Sequence, residues 1–205
     1  MLRIFRKKNI TTFKANQKGV ALIEFALVLP VVTLLLLGCM DLTIYLVAHQ
    51  RVSRAAYTMS NLLTQMDQGL QEAQVSDMIL ALNQVSKPYN IETDGKAVIT
   101  AIIGNGVDGA APDNFTVAWK RCYGAMAGTG TFGAQGSLVT QATFPASTIV
   151  TSKQILIITE LTYQYTPIIG FLPLSGPITY KSYFRPRRGT IQNIVADGSL
   201  PHNCV

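Results

Sequence analysis

A single carboxylate, Glu24, lies inside an otherwise apolar run from Val20 to Met40. A charge at the centre of a bilayer costs about 2.5–3.5 kcal/mol on insertion scales, and less near the edge. Such a group is usually kept for a partner, and the chemistry open to it is ion pairing with an amine. Gly19 stands five residues before it, directly after Lys18. Glycine lets an extended backbone enter a narrow peptidase cleft without a side-chain clash. Cleavage after Gly19 would give Val20 a free α-amine, largely charged at neutral pH because its reference pKa is ~7.7–8.0. Glu24 would then be the fifth residue of the shortened chain, about 7 Å along a helix from that amine. The expectation is that Glu24 of one subunit pairs with the Val20 amine of a neighbour when such helices pack together; the alternative is an edge carboxylate that reaches headgroups or water. Pro30, in the same run, removes one backbone hydrogen bond and would let the helix loosen or extend on leaving lipid.

No other residues compose a catalytic or metal centre. His49 and His202 are far apart in sequence, and no Cys-x-x-Cys pair or close His/carboxylate cluster is present. No catalytic residue, cofactor or metal is therefore expected. Gly104-Asn105-Gly106-Val107-Asp108-Gly109 matches G-x-G-x-x-G, but a dinucleotide site needs a helix to open at the last glycine. Here Ala110 to Asn114 leads into a strand, so the stretch reads as a hairpin loop. Asn114-Phe115-Thr116 is a formal glycosylation acceptor. Leu36-Leu37-Gly38-Cys39 resembles a lipoprotein processing box, but Leu37 is large for its place and the chain beyond Cys39 continues as an apolar helix. Arg185-Pro186-Arg187-Arg188 reads as a solvated turn, with a subunit contact as the alternative. Cys122 and Cys204 could form one bridge that pins the C-terminal tail to the core, which needs an oxidising compartment. Two reduced, buried thiols are the other reading.

The elements that position these residues follow from charge and periodicity. Residues 1–18 hold six of the 17 basic residues and none of the 11 acidic ones, so beyond them 11 basic residues meet 11 acidic ones. The excess lies just before the apolar run, where the positive-inside rule puts the cytoplasmic side. A basic stripe on the folded domain, as nucleic acid would need, is absent. The run from Val20 to Met40 is 21 residues, or about 30 Å of helix, enough to cross a hydrocarbon core. Beyond it Val52, Ala55, Ala56, Met59, Leu62, Leu63 and Met66 recur at helical spacing, with Arg51, Arg54, Asn61 and Gln65 on the other face. One helix from about Val20 to about Met66 is expected, roughly 70 Å long. Gly69 marks its end. A second helix would start near a Ser76 cap, turn Ile79, Leu80 and Leu82 inward, and stop before Pro88. Strands follow at 97–103, 115–119, 154–165 and 178–184, with a glycine-rich surface loop at 123–137 and an irregular tail from Arg185. Ile168 to Leu174 forms an apolar loop tip that would serve as an interface if exposed and as core if buried. The fold class is α+β, a long spine helix packed on a small antiparallel sheet. The expected division is a basic leader at 1–19, a transmembrane segment at 20–40 and an outer domain at 41–205, whose residues 41–66 extend the helix.

Lys18-Gly19 followed by Val20-Ala21-Leu22-Ile23-Glu24-Phe25 resembles the processing site of prepilins, and more narrowly that of the tight adherence (Tad) pilus system. Phe25 stands where the major pilin of that system usually has tyrosine. Major Tad pilins are also very short. The run Glu24 to Pro30, the long spine, Val117-Ala118-Trp119-Lys120-Arg121-Cys122, Tyr163-Gln164-Tyr165-Thr166-Pro167 and the C-terminal cysteine are similar to TadE/TadG-like pseudopilins. The resemblance implies a pilin-like fold and a minor subunit for pilus biogenesis. It implies a substrate, not an enzyme: Gly19–Val20 would be cut by an inner-membrane aspartyl prepilin peptidase, with Glu24, Phe25 and Pro30 serving processing and assembly. The implied partners are the inner membrane, that peptidase, other pilin or pseudopilin subunits and the assembly platform, with no nucleic acid. The implied location is the bacterial inner membrane, single-pass, with the N-terminus cytoplasmic, the domain periplasmic and extraction into the pilus left open. The alternative is a permanently anchored single-pass protein with a periplasmic binding or sensor domain.

Overall fold

The computed structural model describes residues 17–66, 69–145, 148, 150–189 and 191–204. Most of the basic leader, residues 1–16, lies outside the described residues. The first element is one helix of 49 residues, α1 (Gln17–Gln65), which continues through Pro30. Its pattern of burial changes along its length. From Gly19 to Leu36 every residue is exposed. From Ala48 onward a stripe of Ala48, Val52, Ala55, Ala56, Met59, Ser60, Leu63 and Thr64 is buried. That spacing of three and four places the stripe on one face. Leu62 and Met66 are half-buried at its border, and Arg51 and Arg54 face outward.

The second helix, α2 (Glu72–Ser86), begins four residues earlier than Ser76. Gln71 forms its N-terminal cap through a reciprocal exchange with Gln74. Ser76 lies inside the helix, where its hydroxyl donates to the Glu72 carbonyl and meets His202. Ile79 and Leu82 point inward as expected, but Leu80 is 67% exposed. The buried face is carried by Val75, Met78, Ile79 and Leu82, whose spacing of three and four leaves Leu80 on the outer side. A short turn of helix, α3 (Ile91–Asp94), capped by Asn90, leads into the sheet.

Five strands form one antiparallel sheet: β1 (Gly95–Asn105), β2 (Asn114–Tyr123), β3 (Leu138–Val139), β4 (Ile155–Tyr165) and β5 (Gly176–Phe184). Their spatial order is β3-β2-β1-β4-β5. Residues 106–113 close the β1–β2 hairpin, and no helix opens at Gly109. Within that hairpin Ala101 pairs with Trp119 and Ile102 with Val117, leaving Ala118 as an extra residue. This bulge adds one residue to β2 between those pairs.

Both faces of the sheet are covered. On one, α1 and α2 pack against Ala97, Ile99, Ala101, Trp119, Ile157 and Leu161. On the other, Ile102, Val117, Leu156 and Ile158 pack with Phe132, Phe144 and Val150 from the segment after β2. The glycine-rich stretch read from sequence as a surface loop thus carries Phe132 at 1% exposure. Lys120 donates from beneath to the Phe132 and Gly133 carbonyls. Glu160 accepts from the Thr131 amide and hydroxyl and pairs with Lys181. Gly130 has φ +78°, and a Cβ there would collide with the Glu160 carboxylate. Glycine is required at this close approach.

The tail has almost no regular structure, but it is held at many points. Arg187 N–H donates to the Thr64 carbonyl at the end of α1. Ile191 is fully buried and its carbonyl accepts from the Trp119 indole. Val195 bridges to Gln71. Asp197 accepts from Ala73 N–H in the first turn of α2, at 2.9 Å. Cys204 closes a disulfide to Cys122.

Candidate functional site

The residues expected to carry processing and assembly sit on a part of α1 that nothing else in the described chain touches. Gly19 is the third residue of the helix, and a Cβ added there meets no atom within 4 Å. Val20, Glu24, Phe25 and Pro30 follow on the same bare segment, all exposed. Val20 and Glu24 are one turn apart on one face. No acidic residue lies in the first turn of α1, so Glu24 is the first acid the helix presents. Pro30 leaves the carbonyl one turn before it, that of Ala26, without its usual N–H partner. The segment contains an 18-residue window of mean hydropathy 2.7, none of it buried. It is long and apolar enough to cross a membrane. Cys39 is an exposed free thiol, and α1 runs through Leu36–Cys39 without interruption.

Where the bare segment ends, the domain grips the helix. Asp41 is 1% exposed. Its Oδ2 accepts from the backbone N–H groups of Phe171 (2.7 Å) and Leu172 (3.0 Å). Those residues belong to the loop between β4 and β5. The Phe171 ring reaches back along the helix and lies 3.7 Å from where a Cβ on Gly38 would stand. One and two turns further on, Tyr45 and His49 continue the same face. The Tyr45 ring meets those of His49 and Tyr165 edge-on, and His49 Nδ1 lies 3.0 Å from the Tyr180 hydroxyl. Burial, followed by Tyr89, Asp41 and Tyr45, holds the Tyr165 hydroxyl above the usual tyrosine range. Asp41 Oδ1, His49 Nε2 and the Tyr165 hydroxyl are buried without a hydrogen-bond partner among the described residues.

Lower on the spine, Ser60 shares short hydrogen bonds with Thr159 (2.8 Å) and Ser182 (2.6 Å), and Ser182 donates to the Ala56 carbonyl. The small residues Ala48, Ala55, Ala56 and Ser60 let the helix backbone approach β4 and β5 closely enough for these bonds.

Neither the Asp41 clasp nor the hydroxyl cluster figured in the sequence reading. A signal for the first was present: Asp41, Tyr45 and His49 recur every four residues, and Asp41 is the first charge after the apolar run. The second has no comparable mark, since isolated Ser and Thr residues are common on any surface. The sequence-predicted bridge of Cys122 to Cys204 is present, with the bonded residues 82 apart in sequence. Arg185, Arg187 and Arg188 are exposed. Asn114, the formal glycosylation acceptor, is half-buried at the start of β2 and accepts from the Asn105 side-chain amide. On the second core, burial lowers the Lys120 pKa, with Glu160 opposing the shift. The described residues hold no group of three or more His, Cys, Asp or Glu suited to a metal ion.

A family model described as TadE-like protein matches residues 19–59. Over that stretch the chain is similar to TadE-like proteins. The matched segment begins at Gly19, takes in the whole bare half of α1 and Asp41, and ends at Met59 within the buried stripe. No curated protein and no solved structure matches the chain.

Proposed function

We propose that this protein is a minor pilin-like subunit, a pseudopilin, for biogenesis of a Tad-type pilus. The observation that carries the reading is the bare apolar half of a TadE-like helix, with Gly19 at its start and Glu24 its first acid. A permanent anchor has no use for an acid there, whereas a helix that must pack among others gains an ion pair. In this reading residues 1–19 are a basic cytoplasmic leader, 20–40 a transmembrane segment and 41–205 a periplasmic domain. A prepilin peptidase cuts between Gly19 and Val20. Glu24 of one subunit then pairs with the Val20 amine of another, while Phe25 and Pro30 shape the packing surface. The protein acts structurally, as a substrate and subunit, with other pilins and the assembly platform as partners. The disulfide fits the oxidising periplasm.

The mass of the mature N-terminus tests this. A chain starting at Val20 is expected. An intact Met1 in cells that assemble the pilus would favour the permanently anchored binding or sensor protein instead. A chain starting at a lipidated Cys39 would overturn both.

A further inference from the structure

We propose that the β4–β5 loop, residues 166–175, is a second membrane-contacting element that lies in the outer interface of the bilayer and sets how closely the domain sits on it. The inference rests on the reading of α1 as membrane-spanning. The loop carries Ile168 at 81%, Ile169 at 39% and Phe171 at 44% exposure, beside Pro167, Leu172, Pro173 and Leu174. From Leu161 to Tyr180 the chain has no charged residue. An apolar loop tip of this kind is a contact surface, and its position names the contact. Phe171 packs at Gly38, inside the apolar run, and the loop backbone is tied to Asp41, one residue past the end of that run. With about 1.5 Å of rise per residue, Gly38 is only ~3 Å below the end of the run at Met40. A bilayer that surrounds Val20 to Met40 therefore meets the loop at the same height, without any change in the fold.

The clasp also accounts for a buried acid at this height. A bare carboxylate at the hydrocarbon edge is unfavourable, and two loop N–H groups meet Asp41 there. Those two amides in turn need a partner if the loop is to enter an apolar layer. Loop and helix thus satisfy one another where water thins out. Exposed Leu42, Leu46 and Val47 on α1 extend the apolar surface just beyond. The opposite end of the sheet, at the Gly104–Gly109 hairpin, is far from the span, because β1 and β4 run antiparallel with Gly95 opposite Tyr163.

The full chain, reconstituted in phosphatidylcholine–phosphatidylglycerol vesicles, tests the proposal. In a Cys39→Ser background, single cysteines replace Leu29, Ile168 or Val107 and carry an environment-sensitive fluorophore. All three native side chains are well exposed, so labelling leaves the fold intact. Lipids brominated near the top of the acyl chain, and in a parallel sample near its end for the mid-span Leu29 label, then serve as quenchers. The proposal expects the Ile168 label to lose roughly half its emission, as an interfacial apolar segment should, with the Leu29 label quenched and the Val107 label unaffected. Quenching at Leu29 but not at Ile168 overturns the loop proposal and leaves the spanning helix standing. No quenching at Leu29 overturns the spanning reading and the proposal with it. If the Ile168 label instead self-quenches with protein density and ignores bromine, a second copy covers the loop and the proposal fails.

Discussion

The two halves of α1 share one backbone and differ in what surrounds them. Residues 20–36 are bare on every side and rich in Leu and Val; residues 48–64 bury one stripe made largely of Ala, Ser and Thr with a few larger residues. In the proposed function the bare half meets only lipid or neighbouring helices, which large apolar side chains suit. The buried half has small ones because a sheet lies directly against it. A substitution in the first half should therefore act on processing and assembly, and one in the second half on stability.

Gly19→Leu should break this division most visibly. The fold has open space at Gly19, so the thermal midpoint of the domain should not move, while processing should be lost and the mass spectrum should show Met1 retained. Glu24→Ala is the finer probe of the same half. Pilus assembly should fall sharply at unchanged stability, with the mature N-terminus scored separately. A variant that assembles like the native protein would sink the ion-pair idea.

The buried half should respond in the opposite sense. Ala56 is fully buried against the sheet, so Ala56→Leu should overpack that contact and destabilise by about 1–3 kcal/mol in urea unfolding. Ala26→Leu, the matching change in the bare half, should stay within about 0.5 kcal/mol. Equal losses in the two would erase the distinction. Ser60→Ala is milder. It removes the bonds to Thr159 and Ser182 and leaves their buried hydroxyls with fewer partners, for a loss of about 1–2 kcal/mol.

The smallest effect concerns how the helices start. The first turn of α1 has no acid, whereas that of α2 has Glu72 and receives the Asp197 carboxylate from the tail. Hydrogen bonds from Ala73 and Ser199 N–H groups hold the Asp197 pKa below its ordinary value. Its folded pKa is thus the lower one, and the contribution is present above the unfolded carboxylate value. It is lost as pH falls through the folded one. The protection factor of the Ala73 amide, its exchange rate relative to an unstructured peptide at the same pH, should fall over that acidic interval, and Asp197→Asn should flatten the response.

Much of this was legible in the sequence. The 3.6-residue recurrence of Val52, Ala55, Ala56, Met59 and Leu63 marked the buried stripe, and the apolar run before Asp41, with Glu24 its one charge, marked the bare half. Four strands were legible as well, because Val, Ile, Thr and Tyr cluster between glycine and proline turns. What escaped was tertiary in origin. β4 is buried on both faces for nearly its whole length, so the alternation that would tell inner from outer residues is missing. Phe132 sits among glycines, and only its place beneath the second core reveals its task. Ser76 looked like a cap because serine favours that position, but the tail supplied a better start four residues earlier through Val195 and Asp197.

The bridge between Cys122 and Cys204 has a mechanical consequence. It closes a ring that contains β4, β5 and nearly all of the tail, across 82 residues of sequence. At about 3.4 Å per extended residue, roughly 280 Å of chain is withdrawn from what a stretching force between the two ends can pull out. A subunit hauled by its helix while its outer domain is held would therefore reach its full length early. Adding a reductant in a force–extension experiment should release that hidden contour as one further step.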